Sequence, residues 1–328
     1  MTTHKKPAPG GNRAGSKTAF DSPHSTPTDP LPDTAAYCAG TIKRTRRTAA
    51  EVAQLDAQII DVLTVDHPQS VRHVYYRMTD PRLPEPVPKT DAGYRTVQNR
   101  CLLLRRSGAV PYGWISDMSR QGHFVNTFND GADFLSRMSG LYRGDLWRDA
   151  DVRCEVWCES RSIASVLLAD CRELAVDLYP CGGFSSVSFI HSAAQEHNGS
   201  DDGRPLQVFY IGDYDPAGVL IDASLEKELR AHLSEDIELR FERIGINTDQ
   251  IAEYDLPTKP RKDTDRRSSQ VERTVEAEAM PAHILRSIVR DRIESLLPAD
   301  ALAVSKVAEQ SEREHLRRVA RMMEGGRI

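Results

Sequence analysis

Three acidic residues in the second half of the chain are spaced so that they could bind a divalent cation. Asp213 and Asp215 follow an apolar run at 208–211, and Glu159 ends another at 154–159. Two carboxylates this close repel each other by roughly 4 kcal/mol at about 4 Å and an effective dielectric constant of about 20. Because Mg²⁺ prefers carboxylate oxygens, the three acids predict a magnesium site. The simpler alternative is a helix capped by Asp215, with one solvated aspartate.

An alternation of strands and helices positions these acids. Strands are predicted at 154–159, 176–179, 208–211 and 237–244, with helices between them. This order is typical of an α/β fold with a parallel sheet flanked by helices. Ligands of such sheets bind at the carboxyl ends of the strands, where the three acids would lie.

A pair of tyrosines in the first half is the second candidate for chemistry. Residues 71, 74, 75 and 78 have the spacing of one buried helix face, so Tyr75 is expected in the core. Tyr76 is turned by about 100° and is expected at the surface, over Arg72 and His73. A tyrosine of pKa about 10 needs a nearby cation or base to attack a phosphodiester. Arg72 and His73 are suitable types; an exposed tyrosine without a catalytic role is the alternative.

The segment around these tyrosines is predicted to be a small helical domain at 46–145. Its predicted elements are helices at 49–65, 71–79 and 91–106 and a short hairpin, or wing, at 109–116. Three helices and a wing are typical of a winged-helix domain, a DNA-binding relative of the helix-turn-helix.

Charge and side-chain direction both allow DNA as a partner. Residues 1–150 hold 20 Lys and Arg against 15 Asp and Glu, whereas the remaining residues hold 23 Lys and Arg against 33 Asp and Glu. The first half is therefore basic although the net charge of the chain is −5. Arg95, Asn99 and Arg106 point roughly together on the third helix, as groups facing a DNA groove would. A solvated helix face has the same pattern. The charged segment at 257–275 is expected to be a loop that could also face DNA.

Both halves resemble one known family. Glu159, the glycine-bearing loop at 181–186 and Asp-Tyr-Asp-Pro-Ala-Gly at 213–218 resemble the Toprim domain of the topoisomerase VI A subunit and of its relative, the meiotic double-strand-break protein. Arg-His-Val-Tyr-Tyr at 72–76 resembles the Arg-x-x-Tyr-Tyr segment of that family's winged-helix domain. The domain order is also the family's, and the chain is most similar to its stand-alone "Mini-A" members.

The resemblance implies a mechanism of DNA cleavage. Tyr76, assisted by Arg72, would attack a DNA phosphorus and leave a 5′-phosphotyrosyl end, while Glu159, Asp213 and Asp215 would hold Mg²⁺. The implied substrate is double-stranded DNA. The implied assembly is a homodimer in which one chain's tyrosine meets the other chain's metal site. Strand passage would need a separate ATPase subunit, which the sequence does not indicate.

Two alternatives stay open. In one, the chain is a Toprim nuclease in which water attacks the phosphorus and Tyr76 is structural. In the other, the chain binds DNA without cutting it.

The expected organisation has four parts. They are a disordered tail at 1–45, the winged-helix domain at 46–145, the Toprim domain at 150–300 and a charged helix at 301–328. The tail is rich in Pro, Thr, Ser and Gly and has few large apolar residues. The sequence shows no signal peptide and no apolar run that could span a bilayer. Six scattered cysteines without a Cys-x-x-Cys pair favour reduced thiols in a cytoplasmic protein.

Overall fold

The computed structural model describes residues 47–117, 125–182, 187–260 and 271–325. The α-helices in these residues are α1 (Ala49–Val65), α2 (Val71–Met78), α3 (Asp91–Arg106), α4 (Gly131–Met138), α5 (Arg161–Glu173), α6 (Val187–Asn198), α7 (Gly218–His232), α8 (Thr248–Glu253), α9 (Ala282–Glu294) and α10 (Ala301–Gly325). The predictions for the tail, for 183–186 of the glycine-bearing loop and for 261–270 of the charged segment lie outside the described residues.

Hydroxyl groups fix where the first three helices begin. Thr48 and Glu51 form a capping box at α1, with the Thr48 N–H donating to the Glu51 carboxylate at 2.6 Å. Ser70 and Thr90 accept backbone N–H groups at the starts of α2 and α3. Each predicted helix of the first half is therefore confirmed to within about one residue.

The predicted hairpin at 109–116 is wrong. Tyr112–Trp114 forms a 3-10 turn, and Ile115 makes a single parallel bridge with Gln69, just before α2. Pro111 has no N–H to offer a hairpin ladder, and Trp114 and Ser116 form backbone hydrogen bonds with Gln69 instead of with a second strand of the segment. The described residues thus contain the three helices of the predicted domain but no wing.

Four parallel strands form the sheet predicted in the second half. They are β1 (Arg153–Cys158), β2 (Asp177–Pro180), β3 (Leu206–Ile211) and β4 (Leu239–Gly245), in the order β2-β1-β3-β4. Helices α5, α6 and α7 lie between successive strands, which confirms an α/β fold with a helix-flanked parallel sheet. Cys158 of β1 pairs with Ile211 of β3, so the residues after both strands meet at one edge of the sheet.

A short two-stranded ribbon and the last two helices complete the described chain. The ribbon pairs β5 (Lys259–Pro260) with β6 (Arg273–Thr274), and a 3-10 turn at Ala277–Ala279 follows it. Helix α9 packs on α5, and α10 packs on α4. The helix expected at the carboxyl end is therefore present as α10.

One hydrophobic core joins the helical half to one face of the sheet. It runs from Leu55 and Val74 of the first helices through Val156 of β1 to Leu285 and Val289 of α9. A second core, which includes Trp157 and Tyr210, covers the opposite face.

The structure bears on two expectations from the sequence, the state of the cysteines and the absence of a membrane-spanning segment. Cys101, Cys154, Cys158 and Cys171 are buried and have free thiols. No helix within the described ranges is long and apolar enough to cross a membrane.

Candidate active site

The three predicted metal ligands lie at the carboxyl ends of β1 and β3. The N–H of Asp213 donates to Oε2 of Glu159 at 2.8 Å, so these two residues meet as predicted. Asp215 accepts the N–H groups of Ala217 and Gly218 at 2.9 and 2.6 Å with one oxygen, which fixes the start of α7. A Cβ on Gly218 would lie 2.1 Å from the carbonyl oxygen of Asp213, so this tight turn requires glycine. Asp215 thus has the capping role of the simpler alternative as well as a position near the other acids.

Negative charge is concentrated at this edge of the sheet. Burial and, after it, the carboxylates of Glu159 and Glu278 raise the pKa of Asp213 to about 8. Burial also raises the pKa of Glu159. Arg243 lies nearby but bonds to the carbonyl of Asp213 at 2.6 Å and to the carboxylate of Asp222 at 2.9 Å. The acids therefore favour a cation or a proton between them.

The donor set fits magnesium by type but is not yet gathered around one point. Glu159, Asp213 and Asp215 supply the carboxylate oxygens that Mg²⁺ prefers. Within the described residues, no three His, Cys, Asp or Glu side chains are placed so that they could hold a metal ion. One oxygen of each acid accepts a backbone N–H, including that of Ala277 on Asp213 at 2.8 Å. Metal binding would need these side chains to reorient.

The expectation that Tyr76 is exposed is wrong. Its side chain is 3% exposed and that of Tyr75 is 5% exposed. Helix α2 packs against α1 and α3 on one side and against the 3-10 turn at Ala277–Ala279 on the other. Helical periodicity separates the two tyrosines correctly, but a segment distant in sequence covers the second face.

Polar side chains surround the buried hydroxyl of Tyr76. This hydroxyl donates a hydrogen bond to the carboxylate of Glu276, and the ammonium of Lys89 lies 5.2 Å from the centre of the ring. Burial and the charge of Glu276 raise the pKa of Tyr76 above its ordinary value. Glu276 is itself paired with Arg72 at 2.7 Å and with Lys259 at 2.8 Å. Tyr76 is therefore a protonated tyrosine held beside a paired carboxylate.

His73 does not supply the cation expected beside Tyr76. The ring is 1% exposed, and its Nδ1 lies 2.8 Å from the hydroxyl oxygen of Ser70. Burial, followed by the charge of Arg77, lowers the pKa of His73 to about 3, so the ring is neutral near pH 7. Arg72 is the expected cation that does lie in the site.

A small cavity of about 140 Å³ opens beside Tyr76, and we call it the tyrosine cavity. Its walls are formed by Arg72, Tyr75, Tyr76, Lys89, Thr90, Asp91, Tyr94, Lys259 and Glu276. Three of these side chains are cations and two, Asp91 and Glu276, are carboxylates, so the excess of positive charge in the tyrosine cavity suits a small anion such as a phosphate group. Sequence reasoning missed Lys89, Lys259 and Glu276; the only signal for the last two was the density of charge around 257–275.

Residues 275–279, which we call the bridging segment, connect Tyr76 to the acids. Val275 pairs with Tyr214 through hydrogen bonds of 2.8 and 2.9 Å, between the two aspartates. Glu276 accepts the Tyr76 hydroxyl, and the next residue, Ala277, donates its N–H to Asp213. The predicted nucleophile and the predicted metal ligands therefore meet on opposite sides of one short segment of the same chain.

Helix α3 presents two polar faces rather than one. Arg95, Asn99 and Arg106 are exposed, as expected for groups that could contact DNA. A neighbouring face, with Arg105, lines a cavity of about 350 Å³ that Arg161 also lines. This second cavity shares Arg72 and Tyr94 with the tyrosine cavity, so basic side chains continue from α3 toward Tyr76.

No family model, curated protein or solved structure matches this chain. The structure itself shows the parallel sheet and the position of the acids at its edge. The resemblance to the topoisomerase VI A family stands on the motifs at 72–76 and 213–218.

Proposed function

We propose that this chain cleaves DNA by tyrosine transesterification, with Tyr76 as the nucleophile. The observation that carries the proposal is the tyrosine cavity, which Tyr76 lines together with Arg72, Lys89 and Lys259. A phosphodiester is a small anion that such cations would bind and that a tyrosine oxygen can attack.

The reaction exchanges one phosphate ester for another. The Tyr76 hydroxyl gives its proton to a base as its oxygen forms a bond to phosphorus, and the bond from phosphorus to the 3′-oxygen breaks. The 3′-oxygen leaves with the bonding electrons and takes a proton from solvent, so that a 5′-phosphotyrosyl end remains. Arg72, Lys89 and Lys259 would stabilise the negative charge that develops on the phosphate oxygens.

Glu159, Asp213 and Asp215 are the residues that would hold magnesium. When bound, Mg²⁺ would supply further stabilisation of charge on the phosphate and the leaving oxygen. The chain contributes the position of these acids, because the bridging segment places Asp213 beside the residues that hold Tyr76. Burial and the neighbouring carboxylates raise the pKa of Asp213, which supports this assignment because a bound cation would stabilise the ionised form against both effects.

The resemblance extends the proposal to substrate and assembly. Arg95, Asn99 and Arg106 would contact double-stranded DNA, and two copies of the chain would cut the two strands. The proposed activity is that of a topoisomerase VI A-type cleavage protein. Strand passage would depend on a separate ATPase subunit.

One observation favours a second candidate, a metal-dependent nuclease in which water attacks. Tyr76 is 3% exposed and its hydroxyl already bonds to Glu276, as a structural tyrosine would. In that case Glu159, Asp213 and Asp215 would still be needed, but no protein would remain attached to the DNA.

Covalent trapping separates the two candidates. Duplex DNA would be incubated with the protein and Mg²⁺, and the mixture denatured in detergent before electrophoresis. The proposal expects labelled DNA to migrate with the protein, and Tyr76→Phe to abolish this species while Tyr75→Phe retains it. Cut DNA without attached protein, formed equally by Tyr76→Phe, would establish the nuclease instead.

A further inference from the structure

Glu276 contacts the atom that would attack the DNA. Its carboxylate accepts the hydroxyl proton of Tyr76 in a hydrogen bond. Arg72 lies 2.7 Å from Oε2 and Lys259 lies 2.8 Å from Oε1, so both oxygens are held in place. The side chain is 28% exposed and lines the tyrosine cavity, where a phosphate would bind. Nothing in the motif at 72–76 points to this residue.

We propose that Glu276 is the general base of the cleavage step, an inference that rests on the proposed function. As the Tyr76 oxygen bonds to phosphorus, its proton moves to a carboxylate oxygen of Glu276. The bond from phosphorus to the 3′-oxygen breaks at the same time, and the 3′-oxygen is protonated by solvent. In the reverse reaction, Glu276 returns the proton to Tyr76 as the strand is rejoined.

The charges around Glu276 keep its carboxylate ionised, as a group that is to accept a proton must be. Burial raises the pKa of Glu276, but hydrogen bonds from Lys259 and Tyr76 outweigh burial, and the pKa lies below its ordinary value. Glu276 is therefore ionised near neutral pH, whereas burial keeps Tyr76 protonated. The charged and titratable side chains that face Glu276 include Arg72, Tyr75, Tyr76, Lys89, Asp213 and Lys259.

Other nearby groups are less suited to this role. The ring of His73 is neutral, but it is bonded to Ser70 and almost fully buried. Glu278 accepts the hydroxyl of Ser160 at 3.1 Å and does not line the tyrosine cavity. Glu276 is the carboxylate that both lines the tyrosine cavity and bonds to the nucleophile.

The test is Glu276→Gln, which keeps the size of the side chain and an oxygen that can accept the Tyr76 hydroxyl. Because general bases contribute about 10²- to 10⁴-fold, the rate of covalent adduct formation should fall by at least about 100-fold. The Kd for duplex DNA should stay within about threefold. The remaining rate should rise about tenfold per pH unit between about pH 6.5 and 8.5, since hydroxide must then remove the proton. At saturating Mg²⁺, which displaces the proton of Asp213 in both proteins, wild-type protein should show a much flatter profile than Glu276→Gln.

Two further variants control for loss of structure. Glu309→Gln changes a buried glutamate that does not line the tyrosine cavity. Glu309 accepts the N–H of Gly144 at 3.1 Å and pairs with Arg143, and this variant should cleave at the wild-type rate. Glu276→Asp keeps the charge, so it should fold and keep the flat pH profile even if Glu276→Gln does not fold.

The outcomes distinguish failure of this inference from failure of the proposed function. If Tyr76→Phe forms no adduct but Glu276→Gln forms it at the wild-type rate, Glu276 is not the base and the proposed function stands. A slower Glu276→Gln with the wild-type pH profile would make Glu276 a positioning residue, which also overturns the proton transfer. If wild-type protein forms no adduct at all, the proposed function fails and this inference fails with it.

Discussion

Replacing Asp213 with asparagine should remove part of the pH dependence of the protein's free energy of unfolding. Burial and the neighbouring carboxylates of Glu159 and Glu278 raise the pKa of Asp213 from 3.8 to about 8 in the folded state. The folded state therefore holds this proton more tightly than the unfolded state does. The resulting stabilisation is complete below the unfolded pKa and is lost as the pH rises toward the folded pKa.

The size of the effect follows from the pH range over which the carboxyl of Asp213 is protonated in the folded state but ionised in the unfolded state. Between pH 5 and pH 7 the unfolded carboxyl is ionised and the folded one is protonated, so each pH unit costs wild-type protein about 1.4 kcal/mol. Asparagine has no proton to lose and can still accept the N–H of Ala277. Over these two units the free energy of unfolding of Asp213→Asn should therefore gain about 2.7 kcal/mol relative to wild type.

Urea unfolding in EDTA, followed by tryptophan fluorescence at both pH values, measures this difference. Asp202→Asn is the matched control, because a hydrogen bond from Arg204 lowers the pKa of Asp202 to about 2. That carboxyl is ionised in both states between pH 5 and pH 7, so the gap between this variant and wild type should not change. If the difference in free energy of unfolding between Asp213→Asn and wild type is also the same at pH 5 and pH 7, Asp213 is not buried among other carboxylates.

Three further predictions test the site. Magnesium at about 100 times its Kd should stabilise wild-type protein by about 2.7 kcal/mol at pH 7, measured by urea unfolding. Asp213→Ala should lose both this stabilisation and Mg²⁺-dependent cleavage. If magnesium stabilises wild-type protein and Asp213→Ala equally, Asp213 is not a metal ligand. Tyr75→Phe should cost about 1 kcal/mol or less, because it loses only the hydrogen bond to the carbonyl of Thr90 at 3.3 Å, and adduct assays should find it active where Tyr76→Phe is not. If two chains share each site, as the family resemblance implies, mixing Tyr76→Phe with Glu159→Ala should restore nicking; no recovery in mixtures shown to exchange subunits would place a complete site within each chain.

Local chemistry made much of the fold predictable. Hydroxyl caps at Ser70 and Thr90 and apolar stripes set the first helices, and these signals act within a few residues. The alternation of apolar runs and helices predicted the parallel sheet. The meeting of Glu159 with Asp213 followed, because neighbouring parallel strands end at the same edge.

The surroundings of Tyr76 depended on contacts that no local pattern contains. The bridging segment covers the second face of α2, although it lies about 200 residues further along the chain. The failed hairpin has a similar origin, since residues before α2 compete for the backbone groups of 109–116. Periodicity shows which side chains share a face, but it does not show what will cover that face.

The shared hydrophobic core restricts how the chain can be divided. A boundary between the helical half and the sheet would separate Val74 from Val156 and leave apolar surface on both pieces. Fragments cut near residue 148 should therefore aggregate, even though the sequence suggests two domains there. In the described residues, the same core joins the helix of Tyr76 to the strand that precedes Glu159, so both belong to one packed unit. In the proposed function, DNA would therefore reach Tyr76 after side chains reorient within this one unit, rather than be enclosed by two domains that close around it.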